Sequence, residues 1–191
     1  MERIMKMKVL LVNGSPHKNG NTYNALKIVE EVLIDNGIET IWFNLGTHPI
    51  NGCLGCDNCI NTNRCINNND GCNELIEKII ESSGVIIASP VYFASVNGAL
   101  CALLDRAFYA ASNYGKLFKG KLAASVVSVW REGGSSAIDR INKYFNFAEM
   151  PIVSSDYFNV YMGANDNFGK SVLINLGHNF ANLLKNNLCK N

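Results

Sequence analysis

Four cysteines, Cys53, Cys56, Cys59 and Cys65, follow the pattern Cys-x-x-Cys-x-x-Cys-x5-Cys. Spacings this short let several thiolates converge on one small object. Four thiolates can hold a [4Fe–4S] cluster or a zinc ion, and such a loop can also carry redox-active free thiols. Zinc sites more often use two separated Cys-x-x-Cys pairs, so the spacing suits a cluster better. Cys72 lies near enough in sequence to substitute as a ligand. Cys101 and Cys189 read as structural or incidental. His17, His48 and His178 are scattered, and no spacing among them suggests a metal pair or a nucleophile with its base.

Three other stretches combine residue types that suit a ligand. The first is Gly14-Ser15-Pro16-His17-Lys18-Asn19-Gly20-Asn21-Thr22. It follows an apolar run and precedes a helical pattern, so free backbone N–H groups and the positive end of a helix dipole favour a phosphate there. Ser15, Asn21 and Thr22 add hydroxyl and amide donors, and Lys18 or His17 can add charge. The glycines match neither the triphosphate-binding loop nor Gly-x-Gly-x-x-Gly. The second stretch is Ser89-Pro90-Val91-Tyr92-Phe93-Ala94-Ser95-Val96-Asn97-Gly98, whose aromatic and small residues suit a flat ring. The third is Trp130-Arg131-Glu132-Gly133-Gly134-Ser135-Ser136, where two glycines allow close approach of the backbone and Arg131 could meet a ring edge or a substrate. The plain alternatives are a capped turn, core aromatics and a surface turn.

These stretches need a frame to bring them together. Lys8 to Asn13, Glu39 to Asn44, Gly84 to Ser89, Lys121 to Trp130 and, more weakly, Ile152 to Phe158 read as strands. Helical spacing of apolar residues predicts helices after Asn21-Thr22, which can cap the first of them, and over Asn73 to Ser82, Val96 to Ala111, Ser135 to Phe147 and Gly169 to Asn186. Continuous apolar strands alternating with amphipathic helices imply an α/β fold, a parallel sheet covered on both faces. Ligands then bind beyond the C-terminal ends of the strands, where all three stretches lie. Leu45 to Asp70, which holds the cysteine motif, is too long and polar for an idle connection. The expected organisation is one domain over 1–191 with a Cys-rich insertion at about 45–70.

The combination of GSPHKNGNT, SPVYFASVNGALCALLDR and REGG, with YMGANDNFGK and LGHNFA near the end, resembles the NADPH-dependent FMN reductase and iron–sulfur flavoprotein family over nearly the whole chain. The resemblance implies a flavodoxin-like three-layer sandwich with a five-stranded parallel sheet in the order 2-1-3-4-5, bound FMN, and a homodimer or homotetramer. By position it implies that Ser15, His17, Asn21 and Thr22 hold the phosphate. Pro90, Val91, Tyr92, Phe93 and Ser95 would line the isoalloxazine ring, with Arg131 and Gly134 closing its other side. The cysteine spacing is similar to the compact cluster motif of iron–sulfur flavoproteins. Some relatives carry paired aspartates after this loop, where this chain has Asp70 followed by Gly71.

The function implied is an FMN-dependent oxidoreductase. With a cluster, a ferredoxin-like donor is expected; without one, NAD(P)H is. The acceptor would be a small molecule: a quinone, a flavin, a nitro compound, oxygen or peroxide. The alternative is a non-catalytic flavin redox carrier or a redox-sensing module. Pure carriers of the flavodoxin kind are usually strongly acidic, and a net charge of +1 argues against that role. The near-neutral balance, with 17% charged and 48% hydrophobic residues, gives no argument for nucleic acid or a membrane surface. Val9 to Val12 is too short for a signal-peptide core, so the expected location is cytoplasmic.

Overall fold

The computed structural model describes residues 7–112 and 115–188; Cys189 lies outside them. Five strands run parallel: β1 (Lys8–Asn13), β2 (Glu39–Asn44), β3 (Gly84–Tyr92), β5 (Leu122–Ser128) and β6 (Val160–Tyr161). Their order is β2-β1-β3-β5-β6, and a short β4 (Ser95–Val96) turns back antiparallel on β3. The parallel order is the 2-1-3-4-5 arrangement expected. The helices are α1 (Asn21–Asp35), α2 (Cys72–Glu81), α3 (Gly98–Ser112), α4 (Gly134–Phe147) and α5 (Asn167–Leu188). No helix among the described residues is long and apolar enough to cross a membrane.

The layers follow from strand alternation. Val9 and Leu11 of β1 join Ile86 and Ala88 of β3 in a core with α1 and α5. Leu10 and Val12 join Val85 and Ile87 in the opposite core, with α2, α3 and α4. Strands buried on both faces have no polar side to show, so they appear in sequence as unbroken apolar runs. Parallel register aligns Lys8 with Glu39, Val9 with Gly84, and Gly84 with Leu122. A Cβ at Gly84 would lie 2.8 Å from the Phe180 ring and 2.9 Å from the Leu122 carbonyl oxygen, so this position admits α5 only without a side chain.

Three expectations need correction. The strand expected over Ile152 to Phe158 is largely irregular. Ile152 makes an isolated bridge to Ala123, and the regular strand is Val160–Tyr161. Asn159 Nδ2 takes the Ser125 carbonyl of β5, and Ser155 Oγ ties the stretch to the Val172 carbonyl of α5. The strand expected to stop at Ser89 continues to Tyr92, because β4 folds back to pair with its end. Finally, neither Asn21 nor Thr22 caps α1. Gly20 is the N-cap, without a side-chain bond.

One buried carboxylate ties a helix to the sheet edge. Glu30 on α1 is only 6% exposed. It accepts hydrogen bonds from Trp42 Nε1 at 2.6 Å, Thr40 Oγ1 at 2.7 Å and Lys27 Nζ at 2.5 Å. Burial alone would raise its pKa, but these donors hold it below the ordinary value. Replacing Glu30 by Ala strands the Trp42 and Thr40 donors, so we expect a loss of about 2–3 kcal/mol of unfolding free energy. Urea denaturation followed by Trp fluorescence checks this, and a loss below about 0.5 kcal/mol would remove Glu30 from the account.

Candidate functional site

The loops after β1, β3 and β5 meet at the C-terminal edge of the sheet because specific bonds join them. The first leaves β1 at Gly14, whose N–H donates to the Ala88 carbonyl at 2.8 Å. A Cβ there would lie 2.7 Å from that carbonyl oxygen and 2.4 Å from Leu100. Asn97, buried just before α3, donates from Nδ2 to the Gly14 carbonyl at 2.8 Å. Its Oδ1 accepts the Ala99 N–H, and its own N–H donates to Ser89 Oγ. Thr22 Oγ1, also buried, lies 2.6 Å from Ser128 Oγ at the end of β5. Gly163, after β6, sits beside the Asn21 side chain.

This frame sets the state of each expected phosphate-binding residue. Ser15 is buried, and its hydroxyl accepts the His17 N–H at 3.1 Å. His17, Lys18 and Asn21 are exposed on the same loop. The N–H groups of Asn21, Thr22 and Tyr23 form the first turn of α1, and no acceptor among the described residues takes them. An α-helix always begins with such donors. Here the local sequence leaves them without a capping side chain.

The second loop is a hairpin. Val91 pairs with Val96 and Tyr92 with Ser95, leaving Phe93 and Ala94 as a two-residue turn. Both have positive φ, 48° and 60°. That turn type normally takes Asn-Gly, so a bulky residue there stores strain of about 1–3 kcal/mol. Phe93 is fully exposed at the tip, while Tyr92 and Ser95 are exposed beside it and Pro90 is buried in β3. The third loop supports the tip. Gly133 has φ 88°, and a Cβ on it would fall 2.3 Å from Ala94 Cα. Gly134 packs beside Val160. Arg131 does not enter this contact. It lies over the Trp130 ring at 5.6 Å, and both side chains are exposed.

The cysteine motif lies apart, on the segment between β2 and α2. Cys53, Cys56, Cys59 and Cys65 line one largely apolar hollow with Arg106 and Tyr109 of α3. No three His, Cys, Asp or Glu side chains among the described residues converge as they would around a single metal ion. Cys72 does not line the hollow. It is fully buried in the first turn of α2, and burial pushes its thiol up to about 12. Cys59 is also raised, first by burial. Exposed Cys56 is lowered by hydrogen bonding from Asn58.

Sequence reasoning gave no role to Asn97, Ser128 or Arg106. Asn97 was within reach, because an Asn before an apolar helix is a cap signal. The partner of Arg106 was not. Arg106 forms a buried ion pair with Asp70, 36 residues away, with side chains 2% and 5% exposed.

The sequence model of the NADPH-dependent FMN reductase family matches residues 7–165. An iron–sulfur flavoprotein of Methanocaldococcus jannaschii is 30% identical over 192 residues, covering 94% of this chain and 98% of that protein. Among solved structures, RosB with bound 8-demethyl-8-formylriboflavin-5′-phosphate is similar with a TM-score of 0.74 at 15% identity, covering 94% of this chain and 79% of that one. A flavodoxin from the domain Archaea has a TM-score of 0.63 at 13% identity, covering 94% of this chain and 99% of that one. At these identities the two structures establish a flavodoxin-like fold.

The Asp70–Arg106 pair predicts an acid-dependent stability. Burial opposes ionisation of Asp70, but hydrogen bonds and charge from Arg106 outweigh it and hold the carboxyl below its usual range. A depressed folded-state pKa means the stabilisation is complete above the unfolded value of about 3.9 and is lost as pH falls through the lower folded value. Asp70→Asn should therefore lower the thermal midpoint at neutral pH, with the gap to wild type narrowing below about pH 4. A gap that stays constant in melts from pH 7 down to about pH 3 would contradict this role.

Proposed function

Because this chain belongs to the NADPH-dependent FMN reductase family, a group of flavin-dependent oxidoreductases, we propose that it binds FMN at the sheet edge described above and transfers electrons to a small acceptor. One observation carries the reading. Acceptor-free amides at the start of α1 lie on a loop bonded to its neighbours by Asn97 and Thr22, at the strand ends where such folds take ligands.

The residues present fit FMN. The amides of residues 21–23 offer N–H groups to a phosphate, and the Asn21 side chain and exposed Lys18 and His17 stand beside them. Ser15 acts from beneath by holding the His17 N–H inward. The strained hairpin at Tyr92–Ser95, with Pro90 and Val91 leading into it, presents backbone and an aromatic edge to the ring. Gly133 lets its loop press against that hairpin, and Gly134 beside it packs on Val160. Arg131, stacked on Trp130, lies at the periphery and is better placed to meet an incoming substrate than the ring. When bound, FMN supplies the electron-accepting and electron-donating chemistry. The protein supplies position and field.

We further propose that the four cysteines hold a [4Fe–4S] cluster. The donor set is chemically suited: four thiols line one hollow together with an arginine. The name of the M. jannaschii relative supports this. A ferredoxin-like protein is then the proposed donor, with NAD(P)H as the donor if the thiols remain free. A homodimer or homotetramer is proposed from the family resemblance.

Anaerobic purification followed by absorbance spectroscopy and assays of iron, sulfide and flavin tests both cofactors. Flavin bands with iron and sulfide support the full reading; a colourless protein that takes up no added FMN overturns it. For the phosphate site, Asn21→Ala with Thr22→Ala removes the exposed Asn21 side chain beside the amides and the Thr22–Ser128 brace beneath them while keeping the amides themselves. It should raise the FMN Kd by about 10-fold, equivalent to about 1.4 kcal/mol, without changing the far-UV circular dichroism. An unchanged Kd would remove the Asn21 side chain and the brace from the site.

A further inference from the structure

The Cys-rich segment hangs on one side chain of α3. Arg106 has five N–H groups, and each has its own acceptor. Nε donates to Cys65 Sγ at 3.3 Å. One terminal nitrogen donates to the Asn51 carbonyl at 3.0 Å and to Asp70 Oδ2. The other donates to the Asn67 carbonyl and to Asp70 Oδ1 at 2.9 Å. A single planar fork thus joins residues 51, 65, 67 and 70. Its burial makes each bond expensive to lose, because a guanidinium without acceptors inside a protein is strongly destabilising.

Cys65 is held more firmly than the other three cysteines. Its N–H donates to Asn73 Oδ1 and its carbonyl accepts Asn73 Nδ2, both at 2.9 Å, so the amide of α2 brackets its backbone. Arg106 fixes its sulfur. Cys53 and Cys56 lie on exposed chain. Near them, α3 reaches the loop through the Tyr109 hydroxyl, which donates to Asp57 at 2.9 Å.

We propose that Arg106 is a positioning residue for the metal group of this loop: its fork presents the Cys65 sulfur in fixed geometry, and its Nε–H raises the electron affinity of an iron–sulfur group held there. Asp70 is the counter-ion that orients the fork. This rests on the cluster reading given above. The physical basis is general: hydrogen bonds to ligand sulfur stabilise the more negative, reduced form, and partners of metal ligands set both affinity and potential. Lys cannot replace Arg here, since it has three donors on a point charge and no rigid fork.

Wild type, Arg106→Lys and Asp70→Asn are purified anaerobically with iron and sulfide supplied. Iron retention is measured against a chelator, the potential of the iron signal by redox titration with electron paramagnetic resonance, and folding by thermal melt and FMN content. Arg106→Lys should keep FMN, lose iron to the chelator about 10- to 100-fold more readily, and show its remaining iron signal reduced at lower potential. Asp70→Asn, which keeps the Nε–H donor but loosens it, should fall between the two in chelator resistance and decides the matter if the lysine variant does not fold. Wild type that binds FMN but no iron would remove the cluster reading and this inference with it. Wild type that retains iron, with folded variants matching it in chelator resistance and potential, would overturn the role of Arg106 alone.

Discussion

The start of α1 imposes the constraint on which the rest of this site depends. A helix must begin with amide N–H groups that its own backbone cannot satisfy. In this chain Gly20 is the cap and contributes no side chain, so those donors face the loop mouth uncapped. What makes the position stable is the bracing around it. Asn97 grips the Gly14 carbonyl from the junction before α3, and Thr22 meets Ser128 at the end of β5. The loop is therefore fixed from two other elements of the fold before any ligand arrives, and an anion there need not meet the entropic cost of ordering it.

The same economy governs the hairpin and the cysteine segment. Phe93 and Ala94 occupy a turn that favours Asn-Gly, and the strain persists because Gly133 allows the next loop to press against the turn. The cysteine segment has little regular structure of its own, and a buried arginine substitutes for secondary structure by satisfying carbonyls at Asn51 and Asn67. A buried ion pair is a weak source of net stability compared with apolar packing, but it fixes geometry well. Both devices place strain or charge next to positions read as functional.

The sheet was legible because doubly buried strands leave an unmistakable apolar signature. β1 and β2 have the limits expected, and α4 begins one residue early. The stretch before β6 was misread because Ile152, Val153, Tyr157 and Phe158 look strand-like, while Ser155 ties it to α5 and the Asn159 side chain takes a β5 carbonyl. Loop chemistry was partly legible. Ser15, Thr22 and the Gly133-Gly134 pair lie where expected, but Thr22 is engaged with Ser128 and Arg131 with Trp130. Arg106 and Asp70 were beyond reach, since a pairing across 36 residues leaves no local pattern. The flavodoxin-like fold and family membership are established. The residues that hold the cofactor follow from geometry as proposals.

The central claim is that the amides opening α1 grip a phosphate. It is tested most directly by comparing the affinities of the apoprotein for FMN and for riboflavin, which share the ring and differ in the phosphate, by fluorescence titration. The account predicts that FMN binds at least about 100-fold more tightly, an advantage of about 2.7 kcal/mol arising from charge-assisted bonds to backbone donors. Equal affinity for the two would contradict it.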